Sequence, residues 1–503
     1  MSNQGEKKGV SAIDFFCIGF GAIVGVGWAV SINNWMSGSG GPIPAGLGYI
    51  AALIMMVPIA LCYCELVPAL PVAGGGMAFA FRAFNDKVAV ISGWAAFGGF
   101  VSIIPWEAIQ ITDVLGYLIP GLTDGEPLYY VAGTGIHLTT IIIGVICSFL
   151  LFALNMRGLA AAAGVQKILC FILVGSAVVA VASLLHGSPE HWQPLYDTSN
   201  PMIYGDPSQG YVEATNSSMF GGILAIMSSA PFFLAGFETI PQGVEEAGGD
   251  IKSVGKTVVL SVTLACVFYA FLLFSFGFAW DWQEFAQPTA VGGIMTNPAA
   301  ATMLRLSYGG AAGEFFYWLI TIGAIAGLFT TWNGFFMSSA MLLMGMSRGL
   351  LMPKIFAKQN KNGIPVPGLI VCLGLSLIGP FLGAGLIGDI TSFSGAAFVL
   401  SWGLTSYSLA FLRKKEPNLE RPYKVPGGAA MGWFAGIVST VVFILLFIPA
   451  SPMYMKSTAC IMFVGWMIIG LILYLAASGQ RRGKSQTELK EGVFHGMEER
   501  KQA

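Results

Sequence analysis

Long apolar runs, separated by short polar segments, make up most of the chain. Each run is about as long as a helix needs to cross the ~30 Å hydrocarbon core of a bilayer, and the pattern predicts an all-α integral membrane protein with about twelve spans. We expect these spans at residues 12–36, 43–67, 88–119, 128–154, 159–185, 219–245, 254–280, 312–345, 366–386, 390–412, 429–449 and 455–477.

Basic residues lie almost entirely on one side of the predicted membrane. When the loops are assigned alternately to the two sides, only Arg305 and Lys456 fall on the side opposite the rest, and Lys167 lies inside span five. Because cytoplasmic loops are rich in lysine and arginine, both termini are predicted to be cytoplasmic in a multi-pass protein of the cytoplasmic (plasma) membrane. The long connection 187–218 contains four acidic residues and no lysine or arginine, which indicates an extracellular loop.

These spans and charges divide the chain into seven parts. Both tails are polar and charged, and we expect them to be mobile. The parts are a cytoplasmic tail 1–11, a first five-helix unit 12–185, an extracellular loop 186–218, a second five-helix unit 219–412, a cytoplasmic loop 413–428, helices eleven and twelve in 429–477, and a cytoplasmic tail 478–503.

Composition excludes several classes of protein. With 55% hydrophobic residues and only 10% charged ones, the chain is too apolar for a soluble protein. The balance of 25 basic against 26 acidic residues argues against nucleic acid as a partner. The eight cysteines lie within apolar runs, and no catalytic triad, phosphate loop or metal-spaced cluster stands out. We therefore predict neither an enzyme nor a cofactor, and regard an ion channel or a membrane-bound enzyme as the alternatives from other classes.

The first span contains an unusual glycine-rich stretch. Four of the ten residues 19–28 are glycine, in the middle of the membrane. Backbone polar groups cannot stay unpaired against lipid, so a broken helix is tolerated only where protein or a water-filled cavity surrounds it. Two interpretations stand at this point: the glycines open a binding site, or they let another helix approach closely.

A second interruption lies in span six. Residues 228–238 place Pro231, Gly236 and Glu238 at mid-membrane depth. Broken helices at corresponding positions of two halves point to an inverted-repeat transporter and to its binding site. Spans one and six run in opposite directions, as such an inversion requires.

The two breaks offer complementary chemistry. Free amides near Val26 and Gly27 suit a carboxylate, whereas carbonyls near Ile23 and between Phe232 and Ala235 suit an ammonium group. Together they fit the zwitterionic head of an α-amino acid. A Na⁺ ion would also be satisfied by such carbonyls.

Several separated motifs follow one another along the chain. They are 21–27, 232–238 with Glu245 and Glu246, Ser347 and Arg348 with Pro353, and 421–427, supported by 71–75 and 155–158. In these motifs the chain resembles the amino acid, polyamine and organocation (APC) superfamily of transporters, which have the LeuT-type fold. That resemblance implies a 5+5 inverted repeat with broken helices one and six, plus two extra helices. It also implies a permease that moves amino acids by alternating access.

The resemblance also implies roles for particular residues. The amides of Val26 and Gly27 would hold the substrate carboxylate, and the carbonyls of Ile23, Phe232 and Ala235 the α-amine. Phe232 matches an occluding aromatic residue in relatives, Phe233 lies beside it, and Phe335 falls near another pocket aromatic. Glu238 matches an acidic residue that several relatives use to sense protonation.

Departures from the family pattern leave the coupling ion open. The segment 75–79 lacks the usual tyrosine, Met341 replaces an arginine, and Leu173 stands where some proton-coupled relatives have a lysine. H⁺ and Na⁺ both remain, with Na⁺ expected near Ala22, Thr330 and Thr331.

Carboxylates inside the membrane need a reason, because each costs ~2.5 to 3.5 kcal/mol even on mild insertion scales. Glu65 lies near the cytoplasmic end of span two and is interpreted as structural, while Lys167 is placed to pair or to reach the interface. Glu107 and Glu238 are the functional candidates, for substrate selectivity and for proton coupling; a protonated, hydrogen-bonded core residue is the alternative for both.

The sequence thus predicts a secondary active transporter of amino acids, proton-linked or exchanging. The runner-up is a polyamine or small organic amine permease, which is favoured if Glu107 faces the pocket. The expected partners are a small-molecule substrate and membrane lipid, not nucleic acid, with the chain acting as a monomer or homodimer.

Overall fold

A computed structural model describes residues 10–119, 121–192, 218–247, 251–287, 292–294, 296–495 and 497. These residues are mostly helical and contain one two-stranded antiparallel hairpin. Within them, nine helical segments are long and apolar enough to cross a membrane, and three more apolar helices are shorter, namely Met219–Phe233, Val366–Leu382 and Ala429–Leu445. The prediction of a multi-pass α-helical membrane protein is confirmed.

The described residues form a succession of helices with one pair of strands. In order they are α1 Ala12–Ile23, α2 Gly27–Val30, α3 Ile32–Ser39, α4 Pro42–Ala69, α5 Gly76–Ala83, α6 Asp86–Leu118, β1 Tyr129–Val131, β2 Thr134–Ile136, α7 Leu138–Asn155, α8 Leu159–Val178, α9 Ser183–His186, α10 Met219–Phe233, α11 Thr239–Gln242, α12 Ile251–Ala279, α13 Trp282–Ala286, α14 Ala299–Tyr308, α15 Gly310–Arg348, α16 Val366–Leu382, α17 Ile387–Lys415, α18 Ala429–Leu445, α19 Ser457–Ala476, α20 Ser478–Arg481 and α21 Gln486–Phe494.

Local sequence signals explain where key helices begin. Helix α1 starts with a capping box, in which the Asp14 amide donates to Ser11 Oγ at 3.3 Å and the Ser11 amide donates to Asp14 Oδ2 at 3.1 Å. Helix α6 starts after Asn85, whose side chain accepts a hydrogen bond from the Val88 amide. Lys167 pairs with Asp14 at 2.7 Å and so ties α8 to the start of α1.

The helices pack around a core formed by the broken elements. Helix α12 lies along α4, while α15 contacts α6, α8 and α16, and α17 contacts α6 and α18. Helices α7, α8, α18 and α19 leave large apolar side chains exposed on their outer faces. Such a surface suits lipid, because lipid tails are as apolar as these side chains.

Glu65 is structural, as expected. Its buried carboxylate forms ion pairs with Arg413 at 2.6 Å and Arg421 at 3.0 Å, and it accepts a hydrogen bond from the Val425 amide at 2.8 Å. A buried charge of this kind is tolerated when it is paired and hydrogen-bonded. The motif 421–427 is therefore held against the C-terminal part of α4.

Two expectations need correction. Span four was predicted from residue 128, but residues 129–136 form the hairpin and α7 begins at Leu138. The C-terminal tail was expected to be mobile, yet its described residues form α20 and α21, with Leu489, Val493 and Phe494 buried. Most of the predicted extracellular loop, residues 193–217, lies outside the described residues.

Candidate functional site

The first predicted break is present in the structure. Helix α1 ends at Ile23, residues 24–26 are not helical, and α2 begins at Gly27. Among the described residues, the amides of Gly25 and Val26 have no hydrogen-bond acceptor. Gly27 is the first residue of α2, so its amide lies outside the helical ladder. The break therefore offers up to three backbone N–H donors, from residues 25 to 27, in the middle of an apolar span.

The second break crosses the first. Helix α10 ends at Phe233 and α11 begins at Thr239. Gly236 has φ +138°, and a Cβ there would lie only 2.5 Å from the amide nitrogen of Ile23. Both its conformation and this close approach require glycine. The two broken elements therefore touch where their backbones are irregular.

A small cavity lies where the breaks meet. Its volume is about 20 Å³, on the scale where a single water needs about 10 to 15 Å³. An amino acid does not fit this space until lining side chains move. The cavity is lined by Ala22, Ile23, Gly25, Gly27, Ile103, Trp106, Glu107, Phe232, Phe233, Tyr269 and Thr331.

Glu107 faces this cavity. Its side chain is 1% exposed, and the atom Oε2 has no hydrogen-bond partner among the described residues. The other oxygen lies 3.3 Å from the position a Cβ would take on Gly25. No lysine, arginine or histidine is among the lining residues. The cavity thus combines backbone amides with a buried carboxylate that lacks a cationic partner.

Aromatic rings cover the cavity. The ring of Trp106 lies 5.3 Å from that of Phe232 and 6.0 Å from that of Phe233. Phe233 also packs on Trp35 at 4.7 Å, and its ring lies 2.6 Å from where a Gly27 Cβ would be. Gly27 therefore makes room for Phe233 and presents its amide in the same place.

Tyr269 belongs to the site although the sequence did not single it out. Its hydroxyl donates to the carbonyl oxygen of Ile23 at 2.8 Å, at the last residue of α1. The available signal was a tyrosine inside an apolar span, because a buried hydroxyl needs a partner. Trp106, next to Glu107, and Ile103 were also missed, since no motif marks them.

The predicted Na⁺ region lies where α15 crosses α1. The hydroxyls of Thr330 and Thr331 donate to the carbonyl oxygen of Gly21 at 2.8 and 3.3 Å. Ala22 and Thr331 also line the cavity. The predicted residues are thus brought together, around one backbone carbonyl.

Other predicted residues lie apart from the cavity lining. Phe335 packs on Phe100 and Phe398, with ring centres 5.4 and 6.3 Å away. Val26 and Ala235 belong to the two breaks without lining the cavity. Glu238 lies in the second break, where it accepts hydrogen bonds from the Gly236 amide at 2.8 Å and from Trp402 Nε1.

Comparison with known proteins identifies the family. Residues 10–473 match the sequence profile of the amino acid permeases. The chain belongs to the amino acid permease family. This places it in the APC superfamily, as its motifs indicated, and makes it a membrane transporter and not an enzyme.

Three relatives illustrate the range within this family. The chain is 22% identical to the branched-chain amino acid permease BcaP of Bacillus subtilis, over 94% of this chain and 93% of the relative. It is 23% identical to the aspartate-proton symporter of Bacillus subtilis, over 86% of this chain and 78% of the relative. It is 21% identical to the methylthioribose transporter of the same organism, over 95% and 96%.

Proposed function

We propose that this permease is a secondary active transporter that moves amino acids across the cytoplasmic membrane by alternating access. The observation that carries the proposal is the cavity at the crossing of two broken helices, with backbone donors, backbone carbonyls and a carboxylate around it. In the proposed fold, residues 12–185 and 219–412 form a 5+5 inverted repeat of LeuT type, and 429–477 add two helices. Both termini are cytoplasmic.

The zwitterionic head of the substrate is held by the two breaks. The amides of Val26 and Gly27 bind the carboxylate, and the carbonyls of Ile23, Phe232 and Ala235 bind the amine. The free amide of Val26 supports the first role. Ile23 already accepts a hydrogen bond from Tyr269, but a carbonyl oxygen has two lone pairs and can accept a second.

Substrate entry requires movement of aromatic side chains. Phe233 packs edge to face on both Phe232 and Trp106, and the three rings line a cavity of about 20 Å³. Their displacement opens room for an amino acid, and their return excludes water. Phe335 lies apart from this layer and packs on Phe100 of α6 and Phe398 of α17.

Coupling runs through a proton or through exchange of substrates. Glu107 and Glu238 are the proposed proton-carrying groups, since both are buried carboxylates at the breaks. Na⁺ near Ala22, Thr330 and Thr331 is the alternative, and the carbonyl of Gly21 with the two hydroxyls supports it. The site is complete within one chain, so the proposal holds for a monomer or a homodimer.

A second candidate function is transport of polyamines or small organic amines. Glu107 favours it, because a buried carboxylate without a cationic neighbour is a natural partner for an ammonium group. The relatives whose names state an amino acid substrate favour the first candidate.

Reconstitution into liposomes tests both candidates. The purified protein is reconstituted into liposomes, and uptake is measured at two pH values, with and without Na⁺. The substrate is a labelled neutral amino acid, and the unlabelled competitors are amino acids, polyamines and methylthioribose. Saturable uptake inhibited by amino acids supports the proposal. Inhibition by polyamines alone would replace it with the second candidate, and flux that neither saturates nor exchanges would refute both.

A further inference from the structure

The last described helix, α21, is built to dock on the cytoplasmic face. A capping box starts it, in which the Glu488 amide donates to Ser485 Oγ at 3.2 Å and the Ser485 amide donates to Glu488 Oε2 at 2.6 Å. The hydrogen bonds that the Ser485 amide and hydroxyl donate to the carboxylate lower the pKa of Glu488. A nine-residue helix is marginal in water by itself, so α21 depends on what it packs against.

Helix α21 packs directly on the end of α15. A Cβ on Gly349, the residue after α15, would lie 2.9 Å from Val493 Cγ2. A Cβ on Gly492 would overlap the carbonyl oxygen of Arg348. The two chain segments are therefore in backbone contact, and Leu489 and Phe494 are buried beside them.

Polar contacts fix the register of α21 against α5 and α6. Gln486 and Asp86 exchange two hydrogen bonds of 2.9 and 3.3 Å. The Lys490 ammonium lies 3.3 Å from the carbonyl oxygen of Arg82, whose guanidinium lies 5.5 Å from the Phe494 ring. Docking thus uses a specific set of groups and not only apolar area.

Arg348 is also part of the closure of the cytoplasmic side. Its guanidinium donates to both carboxylate oxygens of Glu245 at 3.0 Å. Glu245 accepts a hydrogen bond from the Ala73 amide at 2.9 Å, and the Val10 amide donates to the Glu246 carbonyl at 3.0 Å. The start of α1 and the segment after α11 are thereby fastened to the end of α15.

We infer that α21 regulates cytoplasmic opening of the carrier. Docked, it holds the end of α15 in the position where Arg348 pairs with Glu245. Undocked, it frees α15, and the start of α1 can then separate from it. The inference rests on the proposed alternating access, because it treats the inner half of α1 and the segment 239–247 as the parts that move.

The first test compares two glycine variants. Gly492→Leu forces a side chain into the Arg348 carbonyl, whereas Gly479→Leu, in α20, meets open space, since a Cβ there has no atom within 4 Å. Ser338→Cys reports opening, because Ser338 is buried and lines a second cavity, also of about 20 Å³, that is separate from the one at the breaks and includes Phe15 of α1 and Leu159 of α8. The full chain is used, with its native cysteines replaced, and an impermeant thiol reagent is added to inside-out vesicles.

We expect Gly492→Leu to speed labelling of the reporter by at least about fivefold, the lower end of typical coupling between sites. Gly479→Leu should leave the rate unchanged. Labelling needs no substrate, so this result is independent of what the carrier transports. If labelling responds as expected but no amino acid is carried, the proposed function fails and the role of α21 stands.

The second test locks the helix instead of releasing it. Gly349→Cys together with Val493→Cys is cross-linked by copper phenanthroline in air and released by dithiothreitol in the same sample. The cross-linked carrier should show slow reporter labelling that recovers on reduction. The inference is overturned by equal labelling of the two glycine variants, or by a formed cross-link whose reduction changes nothing.

Discussion

Glu107 is the residue on which we expect substrate choice to depend most directly. Its carboxylate faces the cavity, and no cationic side chain lines that space. A cationic ligand group brought next to this carboxylate would form an ion pair. In a water-poor site such a pair is stronger than in bulk water. A neutral ligand would gain nothing of the kind.

Replacing Glu107 by glutamine keeps the size of the side chain and removes its charge. If the carboxylate binds a substrate ammonium, Glu107→Gln should weaken cationic competitors by about tenfold or more, and neutral ones much less, since truncating a buried charge pair costs about 2 to 5 kcal/mol. Competition of uptake measures both. Asp113→Asn is the matched control, because Asp113 lies on the same helix but bonds Asn297. Equal loss for both substrate classes would assign Glu107 to proton coupling or structure.

Gly27 has two roles that a single substitution does not separate. Gly27 lines the cavity and is proposed to bind the substrate through its amide, and its missing side chain gives room to Phe233. We expect Gly27→Ala to weaken substrate binding, either by blocking approach to the amide or by pushing the ring. A double-mutant cycle with Phe233→Leu distinguishes these effects.

If the cost of Gly27→Ala persists in the Phe233→Leu background, access to the amide is the cause. If the cost disappears there, ring packing is the cause and the carboxylate role of Gly27 is lost. Binding is measured by scintillation proximity with a labelled substrate. Gly38→Ala, near the end of α3, serves as the control because a Cβ there meets no atom within 4 Å.

Part of the site could be predicted from single residues. Glycines and a proline inside apolar runs mark Gly27, Phe232 and Phe233, and an intramembrane carboxylate marks Glu107. Trp106 and Tyr269 could not be found this way, because aromatic residues are common in membrane helices. Their places depend on how α6 and α12 pack against the breaks, which no local pattern states.

At the level of elements, the second break is held open by Glu238. Its carboxylate accepts from the Gly236 amide inside the break and from Trp402 on α17. Protonation turns one oxygen into a hydroxyl and leaves only one strong acceptor, so one of the two hydrogen bonds would be weakened. The protonation state of Glu238 is thereby linked to how firmly the break is attached to α17.

This linkage predicts the behaviour of Glu238→Gln. Glutamine also has only one acceptor oxygen and does not titrate, so the variant should retain some transport with a flattened dependence on pH. Initial uptake rates over about pH 5 to 8, where tuned carboxylates titrate, measure it. Trp402→Phe keeps the carboxylate and should keep a pH dependence. A wild-type profile in Glu238→Gln would leave Glu107, or Na⁺ near Thr330 and Thr331, as the coupling group.

For the whole molecule, hydropathy predicted the membrane helices well because burial in lipid is a strong and local constraint. It could not predict features that depend on distant contacts. The helix α21 is amphipathic and docks on Arg348 and Gly349, more than a hundred residues earlier in the chain. Hydropathy places the hairpin 129–136 within span four because several of its residues are apolar. A helix cannot pass through this segment, because Ala132 and Gly133 have positive φ and form a turn.

The orientation that we predict for the whole molecule rests on its charges and can be tested at two described positions. Lys358 is exposed after α15 at the end rich in basic residues, and Tyr130 is 69% exposed in the hairpin at the opposite end. In a cysteine-free background, Tyr130→Cys should react with an impermeant thiol reagent added to intact cells. Lys358→Cys should react only after permeabilisation, which also proves that it is present and reactive. Ser199, the natural choice in the long loop, lies outside the described residues.

The opposite result in intact cells, labelling of Lys358→Cys but not of Tyr130→Cys, would show that the topology is inverted. The helix α21 and the Arg348–Glu245 pair would then lie on the outer face. There they would control entry from outside and not release into the cytoplasm.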